Sequence, residues 1–177
     1  MRLRLDATSK YKERYITIRK ATVGDLDRLH RIEVECFPEE AFTRLQLEYI
    51  LTFPHFMSLI AEVDGEVAGF IIGSLEVYND KVVGHIYSID VLGRFRRRGI
   101  ASKLLNEMEK ILAERGAEEC YLEVRVDNLA ARSLYKKHGY KQVEVLKDYY
   151  REGIHGIRLK KQLKSDNQNR KGGIECP

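Results

Sequence analysis

Apolar and polar residues alternate in RYITIRKAT (14–22), which predicts an opening strand. Thr22 then stands as a helix cap with Asp25 in the first turn, and Leu26, Leu29, Ile32 and Val34 carry a helical repeat up to Cys36. The stretch FPEEAF ends that helix because Pro38 cannot continue its hydrogen-bond ladder, and a second helix is predicted from Thr43 to Leu51, ending before Phe53-Pro54. FMSLIAEVDGEVAGFIIGSLEV reads as two strands joined by a hairpin at Asp64-Gly65, and VVGHIYSIDV (82–91) as another strand. From Gly99 onward Ile100, Ala101, Leu104, Leu105, Met108, Ile111 and Leu112 keep helical spacing until Arg115 and Gly116 mark the stop. ECYLEVRV (119–126) is a strand, NLAARSLYKKHG a short helix ending at Gly139, and YKQVEVL and HGIRLKKQL are the last two strands. The order β-α-α-β-β-β-α-β-α-β-β predicts an α/β fold with a mixed sheet.

With 177 residues, 44% hydrophobic and 33% charged, the chain suits one soluble domain over 14–163, with a basic extension at 1–13 and a flexible polar tail at 164–177. No apolar run reaches bilayer-spanning length, and MRLRLDATSK lacks the apolar core of a secretory signal, so the expectation is a cytoplasmic protein without a membrane partner. Cys36, Cys120 and Cys176 have no metal-ligand spacing, so no metal site is expected. Cys120 shares the parity of Leu122 and Val124, which favours core packing over a nucleophilic role. The net charge of +4 comes from the ends: residues 1–14 carry +3 and 158–177 carry +4, leaving the body mildly acidic. A specific nucleic-acid surface on the core is therefore not expected. The sequence leaves the oligomeric state open.

Residues 94–105, RFRRRGIASKLL, place four arginines directly before a helix. A helix N-terminus is already electropositive, so these charges repel one another unless an anion joins them. A strand, an arginine-rich turn with Gly99, and an amphipathic helix resemble a pyrophosphate cradle, although neither a Walker motif nor GxGxxG is present. Read alone, the stretch is equally a solvated basic turn.

Arg96, Arg97, Arg98, Gly99, Ile100 and Ala101 fit R/Q-x-x-G-x-G/A, the acetyl-coenzyme A loop of the GNAT superfamily of N-acetyltransferases. NLAARSLYKKHGY resembles that superfamily's second signature through Asn128, Ala131, Leu134, Tyr135, Gly139 and Tyr140. The resemblance covers about residues 15–160 and implies the GNAT fold, a mixed and mostly antiparallel sheet flanked by helices. GHIYSIDV, YLEVRVDN and EVLKDYYREG look most like the protein N-terminal acetyltransferases, of the archaeal and eukaryotic alpha-amino type and the ribosomal-protein alanine type. Two departures lie at the acceptor end: Arg151-Glu152-Gly153-Ile154-His155 replaces an acidic DGEDA-like turn, and FPEEAF replaces a leucine-proline-glutamate-asparagine-tyrosine run.

On YLEVRVDN the strand period puts Tyr121, Glu123 and Arg125 on one face. Taken as residues alone, His85 is a strand histidine with a satisfied hydrogen bond, and Glu123 an ion-pair partner of Arg125 or another neighbour. The resemblance implies instead that His85 and Glu123 hold a proton-accepting water, and that Tyr135 donates a proton to the leaving sulfur. It further implies that the main chain of Ile89 and Val91 holds the pantetheine arm, that Arg96–Ala101 and Asn128 bind the rest of the cofactor, and that Phe37, Pro38, Glu39, Tyr149 and Tyr150 flank the peptide entrance. Glu40 and Asp148 read as exposed loop residues. The implied activity is direct acetylation of protein N-termini, with possible ribosome proximity suggested by the basic ends. Acetylation of a lysine or a small amine is the alternative within the same chemistry, and a non-catalytic coenzyme A- or RNA-associated module is the alternative outside it.

Overall fold

The computed structural model describes residues 15–163, so the expected basic extension and polar tail, with Cys176, lie outside the described residues. Eleven strands and helices follow in the expected order. They are β1 (Ile16–Lys20), α1 (Leu26–Cys36), α2 (Arg44–Thr52), β2 (Phe56–Val63), β3 (Glu66–Tyr78), β4 (Lys81–Val91), α3 (Ile100–Glu114), β5 (Glu119–Arg125), α4 (Leu129–Lys137), β6 (Lys141–Arg151) and β7 (Ile154–Gln162). Short 3-10 turns at Val23–Asp25 and Gly93–Phe95 precede α1 and α3.

Local chemistry accounts for the boundaries. Thr22 N–H donates to Asp25 Oδ2 at 2.9 Å, and Arg19 grips the same carboxylate with two bonds of 2.8 and 2.9 Å, fixing the entry into α1. Thr43 caps α2 by accepting from Gln46 N. The β2–β3 and β3–β4 hairpins turn on Asp64-Gly65 and Asn79-Asp80, all four at positive φ, the geometry whose twist matches paired strands. In α1 the expected apolar stripe is corrected at one position: Val34 is exposed and Glu33 is buried. Counted from Leu26 and Leu29, position 33 falls on the buried stripe at i+7 and i+4, and position 34 turns away from it.

The seven strands lie in the order β1-β2-β3-β4-β5-β7-β6, and among the described strands β4 and β5 alone pair in parallel. The crossover that a parallel pair requires is α3. This helix packs on β2 to β5, burying Leu104, Leu105, Met108 and Leu112 completely. Gly84 makes that contact possible, since an added Cβ there would lie 2.8 Å from the Leu112 side chain. By strand parity His85 therefore faces away from α3.

Two irregularities shape the other face. Ile72 pairs with Ser88 and Gly73 with Ile86, so Tyr87 is an extra residue that bulges β4. The β4–β5 ladder then stops at Ile86 and Leu122 although both strands continue, to Val91 and Arg125. The strands part there, leaving a gap in the middle of the sheet. A last correction concerns Tyr149 and Tyr150, expected in a loop before the final strand. They belong to β6, which runs on to Arg151 with a register break after Leu146. Asp148 at φ 53 turns the chain inside that break and accepts from Gly153 N at 2.8 Å, so it shapes the strand end.

Candidate active site

A line of ionisable side chains crosses five adjacent strands at the closed end of the gap. Tyr121 on β5 and Ser74 on β3 are the register partners of His85, and Glu123 and Glu76 lie two residues further on the same face of each strand. Because β3 runs against β4 and β5 runs with it, the two carboxylates approach the imidazole from opposite diagonals. His85 Nε2 lies 2.8 Å from Glu123 Oε2, and Nδ1 lies 3.0 Å from Glu76 Oε1. Glu123 pairs across the ladder with Arg158 on β7, which donates to its other oxygen at 2.8 Å and to Glu144 on β6 at 2.7 Å. The order across the sheet is Glu76, His85, Glu123, Arg158, Glu144.

The sequence expectation for His85 and Glu123 thus meets a direct hydrogen bond between them. The expected alternative partner for Glu123, Arg125, is engaged elsewhere, with Asp127 and Glu40. Burial pushes the Glu123 carboxyl up, but the hydrogen bonds from His85 and Arg158 outweigh it and hold the group below the usual carboxylate range. Glu76 shows the same balance: burial raises it, and bonds from Tyr121, Tyr87 and His85 bring it down. Both acids are therefore anions at neutral pH. The His85 ring stacks on Tyr121 at 4.2 Å between centroids and lies 4.1 Å from Tyr87.

At the opposite end of the gap stands the N-terminus of α3. Gly99 occupies the left-handed region at φ 77, no side chain caps the helix, and no atom lies within 4 Å of an added Cβ. Arg97, also at positive φ, and Arg98 are exposed, and neither forms an ion pair among the described residues. Open backbone, unpaired guanidinium groups and free helix N–H groups together fit an anionic phosphate group. Arg96 differs from its neighbours: its Nε donates to the Val91 carbonyl at 2.9 Å. That carbonyl, expected on a cofactor arm, is already shared with the loop. Ile100 is buried, so its contribution to a ligand is its backbone. Asn128 caps α4 by accepting from Ala131 N at 3.1 Å.

Tyr135 is buried, and its hydroxyl makes no hydrogen bond among the described residues. Burial, with the nearby Tyr150 and Asp90 adding to it, drives its phenol far above the usual value, so it stays protonated. At the entrance, Glu39 pairs with Arg151 at 2.7 Å, joining the 37–42 loop to the end of β6, with Phe37 half-buried and Pro38 exposed beside it. Tyr149 and Tyr150 meet edge to face at 5.1 Å. Glu40 is the exposed turn residue that was expected, and its carboxylate accepts from Arg125 at 2.7 Å. Sequence reasoning also missed Glu33 and Asp90, two carboxyls buried side by side. Burial raises both, and the Glu33 charge adds to the rise at Asp90, while Glu33 accepts from Phe42 N and ties the entrance loop to α1.

The chain matches the acetyltransferase (GNAT) family over residues 26–140. It is 40% identical over 145 residues to an N-alpha-acetyltransferase of Sulfurisphaera tokodaii, covering 77% of this chain and 86% of that protein. An N-alpha-acetyltransferase of Saccharolobus solfataricus is 38% identical over 162 residues, covering 84% of this chain and 94% of its own length. Among solved structures, Ard1 from Thermoplasma volcanium superposes with a TM-score of 0.74 at 28% identity, over 84% of this chain and 98% of its own.

Proposed function

The chain belongs to the GNAT acetyltransferase family, and from that premise we propose that it transfers the acetyl group of acetyl-CoA directly to the α-amino group of a protein or peptide N-terminus. The observation that carries the reading is the gap where β4 and β5 part, with the His85–Glu123 pair on one rim and, at its other end, the arginines of the α3 turn, of which Arg97 and Arg98 form no ion pair among the described residues.

Acetyl-CoA supplies an acyl group activated as a thioester. Arg97, Arg98 and the first N–H groups of α3 hold its phosphates, with the backbone of Gly99 and Ile100 in close approach and Arg96 bracing Val91. The main chain of Ile89 and Val91 lies along the open edge of β4 for the pantetheine arm. An α-amino group has a pKa of about 8 and is largely ammonium at neutral pH. The His85–Glu123 pair, through an ordered water, accepts the proton that must leave before the nitrogen can attack. Tyr135, kept protonated by burial, donates to the departing sulfur. Of the two protons the ammonium loses, one ends on the coenzyme thiol and the other in solvent.

Direct transfer suits the two described thiols, Cys36 and Cys120. Burial pushes Cys120 up to about 12 and Cys36 up to about 11, which leaves neither as a nucleophile at neutral pH. Phe37, Pro38 and Glu39 on one side and Tyr149 and Tyr150 on the other frame the peptide entrance. A cytoplasmic location and work near the ribosome, where new N-termini emerge, go with this reading.

The test is to offer paired peptides that contain lysine, one with a free and one with a blocked N-terminus, together with acetyl-CoA. The free N-terminus is expected to react at least about tenfold faster. An acetyl group located by mass spectrometry on the lysine ε-nitrogen, or equal rates with spermidine, would move the acceptor to the side-chain or small-amine class.

A further inference from the structure

We propose that Glu76 is a positioning residue for proton removal from the acceptor amine, fixing His85 through Nδ1 so that Nε2, beside Glu123, is the working nitrogen. The inference rests on the acetyltransferase reading above and adds to its His85–Glu123 pair a second carboxylate.

The middle of β3, GFIIGSLEV, is apolar apart from Ser74 and Glu76, which share a face. A carboxylate placed there needs partners, and four groups supply them. Ser74 donates to Oε1 at 3.1 Å, Tyr87 donates to Oε1 at 2.8 Å, Tyr121 donates to Oε2, and His85 Nδ1 lies at 3.0 Å. Among the described residues no lysine or arginine reaches Glu76. Three neutral hydroxyls therefore orient an anion whose one ring partner is His85.

A neutral imidazole has one N–H and one lone pair. With the Nδ1 proton held by Glu76, the proton that leaves and returns is the one on Nε2: while it is present the 2.8 Å contact to Glu123 Oε2 is a hydrogen bond, and once it has gone Nε2 and that oxygen are two acceptors for a proton taken from the amine. Without Glu76 the ring gains by giving its one N–H to Glu123 through Nε2, which leaves no acceptor nitrogen toward the gap. Every ionisable group facing the ring enters this balance: Glu76 from β3, Tyr87 from β4, Tyr121 and Glu123 from β5, and Arg158 from β7 acting through Glu123. Tyr121, stacked on the ring within 15° of parallel, limits its rotation.

The experiment compares wild type with Glu76→Gln, measuring kcat, KM for the acceptor peptide, acetyl-CoA affinity, and the pH profile of kcat. The expected result is a loss of about tenfold or more in kcat, with KM and cofactor affinity within about twofold, and an acid limb moved to lower pH as the ring loses an anionic partner. Long-range nitrogen-15 NMR of the wild-type enzyme gives a second reading that does not depend on the variant folding, and it should find Nδ1 of the neutral ring protonated. A folded Glu76→Gln enzyme with unchanged kcat and pH profile overturns the proposal. So does a wild-type His85 whose neutral form carries its proton on Nε2. If wild type acetylates lysine or polyamines and no α-amine, the acceptor reading falls by itself, and the same comparison is made on that acceptor.

Discussion

On the sheet face opposite α3, Glu144, Arg158, Glu123, His85 and Glu76 each meet a partner on the neighbouring strand, whereas at the start of α3 Arg97 and Arg98 meet no carboxylate among the described residues. Both regions border the same gap, one assembled from five strands and the other from a single short turn. The difference follows from what each must do. Proton transfer gains from groups already fixed, because an ion held by its neighbours needs no reorganisation when charge moves. Capture of a polyanion gains from charges left open to solvent, since a pre-existing carboxylate partner would have to be displaced first. Arg96 marks the border: it sits in the arginine run but bonds the Val91 carbonyl, so its charge serves the fold of the loop.

The largest effect is expected from breaking the paired region at its centre. Glu123→Gln should lower kcat about a hundredfold with little change in acetyl-CoA affinity. The loss should shrink as pH rises past about 8, where the α-amine deprotonates without help. Stability should respond with a definite sign. The carboxyl of Glu123 is depressed in the folded protein, so its contribution is present above the unfolded value of about 4.3 and is lost as pH falls through the folded one. Thermal melts should therefore separate parent and variant at neutral pH and bring them together only once the pH has fallen below the depressed folded value. Equal turnover at pH 7 would remove Glu123 from proton handling.

The contrast also explains what could be read in advance. The element order, the α3 stripe and the arginine turn were legible because they depend on neighbours within a few residues. The paired line was legible at His85 and Glu123 alone, through the resemblance to known acetyltransferases. Its other members are 9, 38, 35 and 14 residues apart in successive links, and only the strand register brings them together. A signal for Glu76 was present all the same: one carboxylate in an otherwise apolar strand. Glu33 carries a similar signal, a charge on the apolar stripe of α1, where spacing points to position 33 and hydrophobicity to Val34. The continuation of β6 through Tyr149 and Tyr150 was hidden by the charged run KDYYREG, whose pairing resumes only after a register break.

A middle-sized effect is expected at the backbone of the open region. Gly99→Val should raise the acetyl-CoA Kd about thirtyfold, because a branched side chain fills the space through which the phosphates approach. Valine must also adopt φ 77, at a cost of about 1–2 kcal/mol in stability. The two losses separate cleanly: calorimetric titration reads the first and chemical denaturation the second. Unchanged affinity in the folded variant would mean that the anion binds elsewhere.

The smallest effect sharpens the comparison most, because it asks whether an unpaired charge can be removed without harm to the fold. Arg97 contributes no ion pair among the described residues, so Arg97→Ala should change stability by no more than about 0.5 kcal/mol. Its Kd for acetyl-CoA should rise about three- to tenfold, and the penalty should fade as salt is raised, since an exposed charge is screened beyond about 10 Å at 0.1 M ionic strength. Arg96→Ala is the matched control one residue away. Removing the 2.9 Å bond to Val91 should cost about 1 kcal/mol of stability together with affinity, and that stability loss should not depend on salt. If Arg97→Ala destabilises the protein as much as Arg96→Ala and leaves cofactor affinity unchanged, Arg97 belongs to the fold and the open region is not held open for an anion.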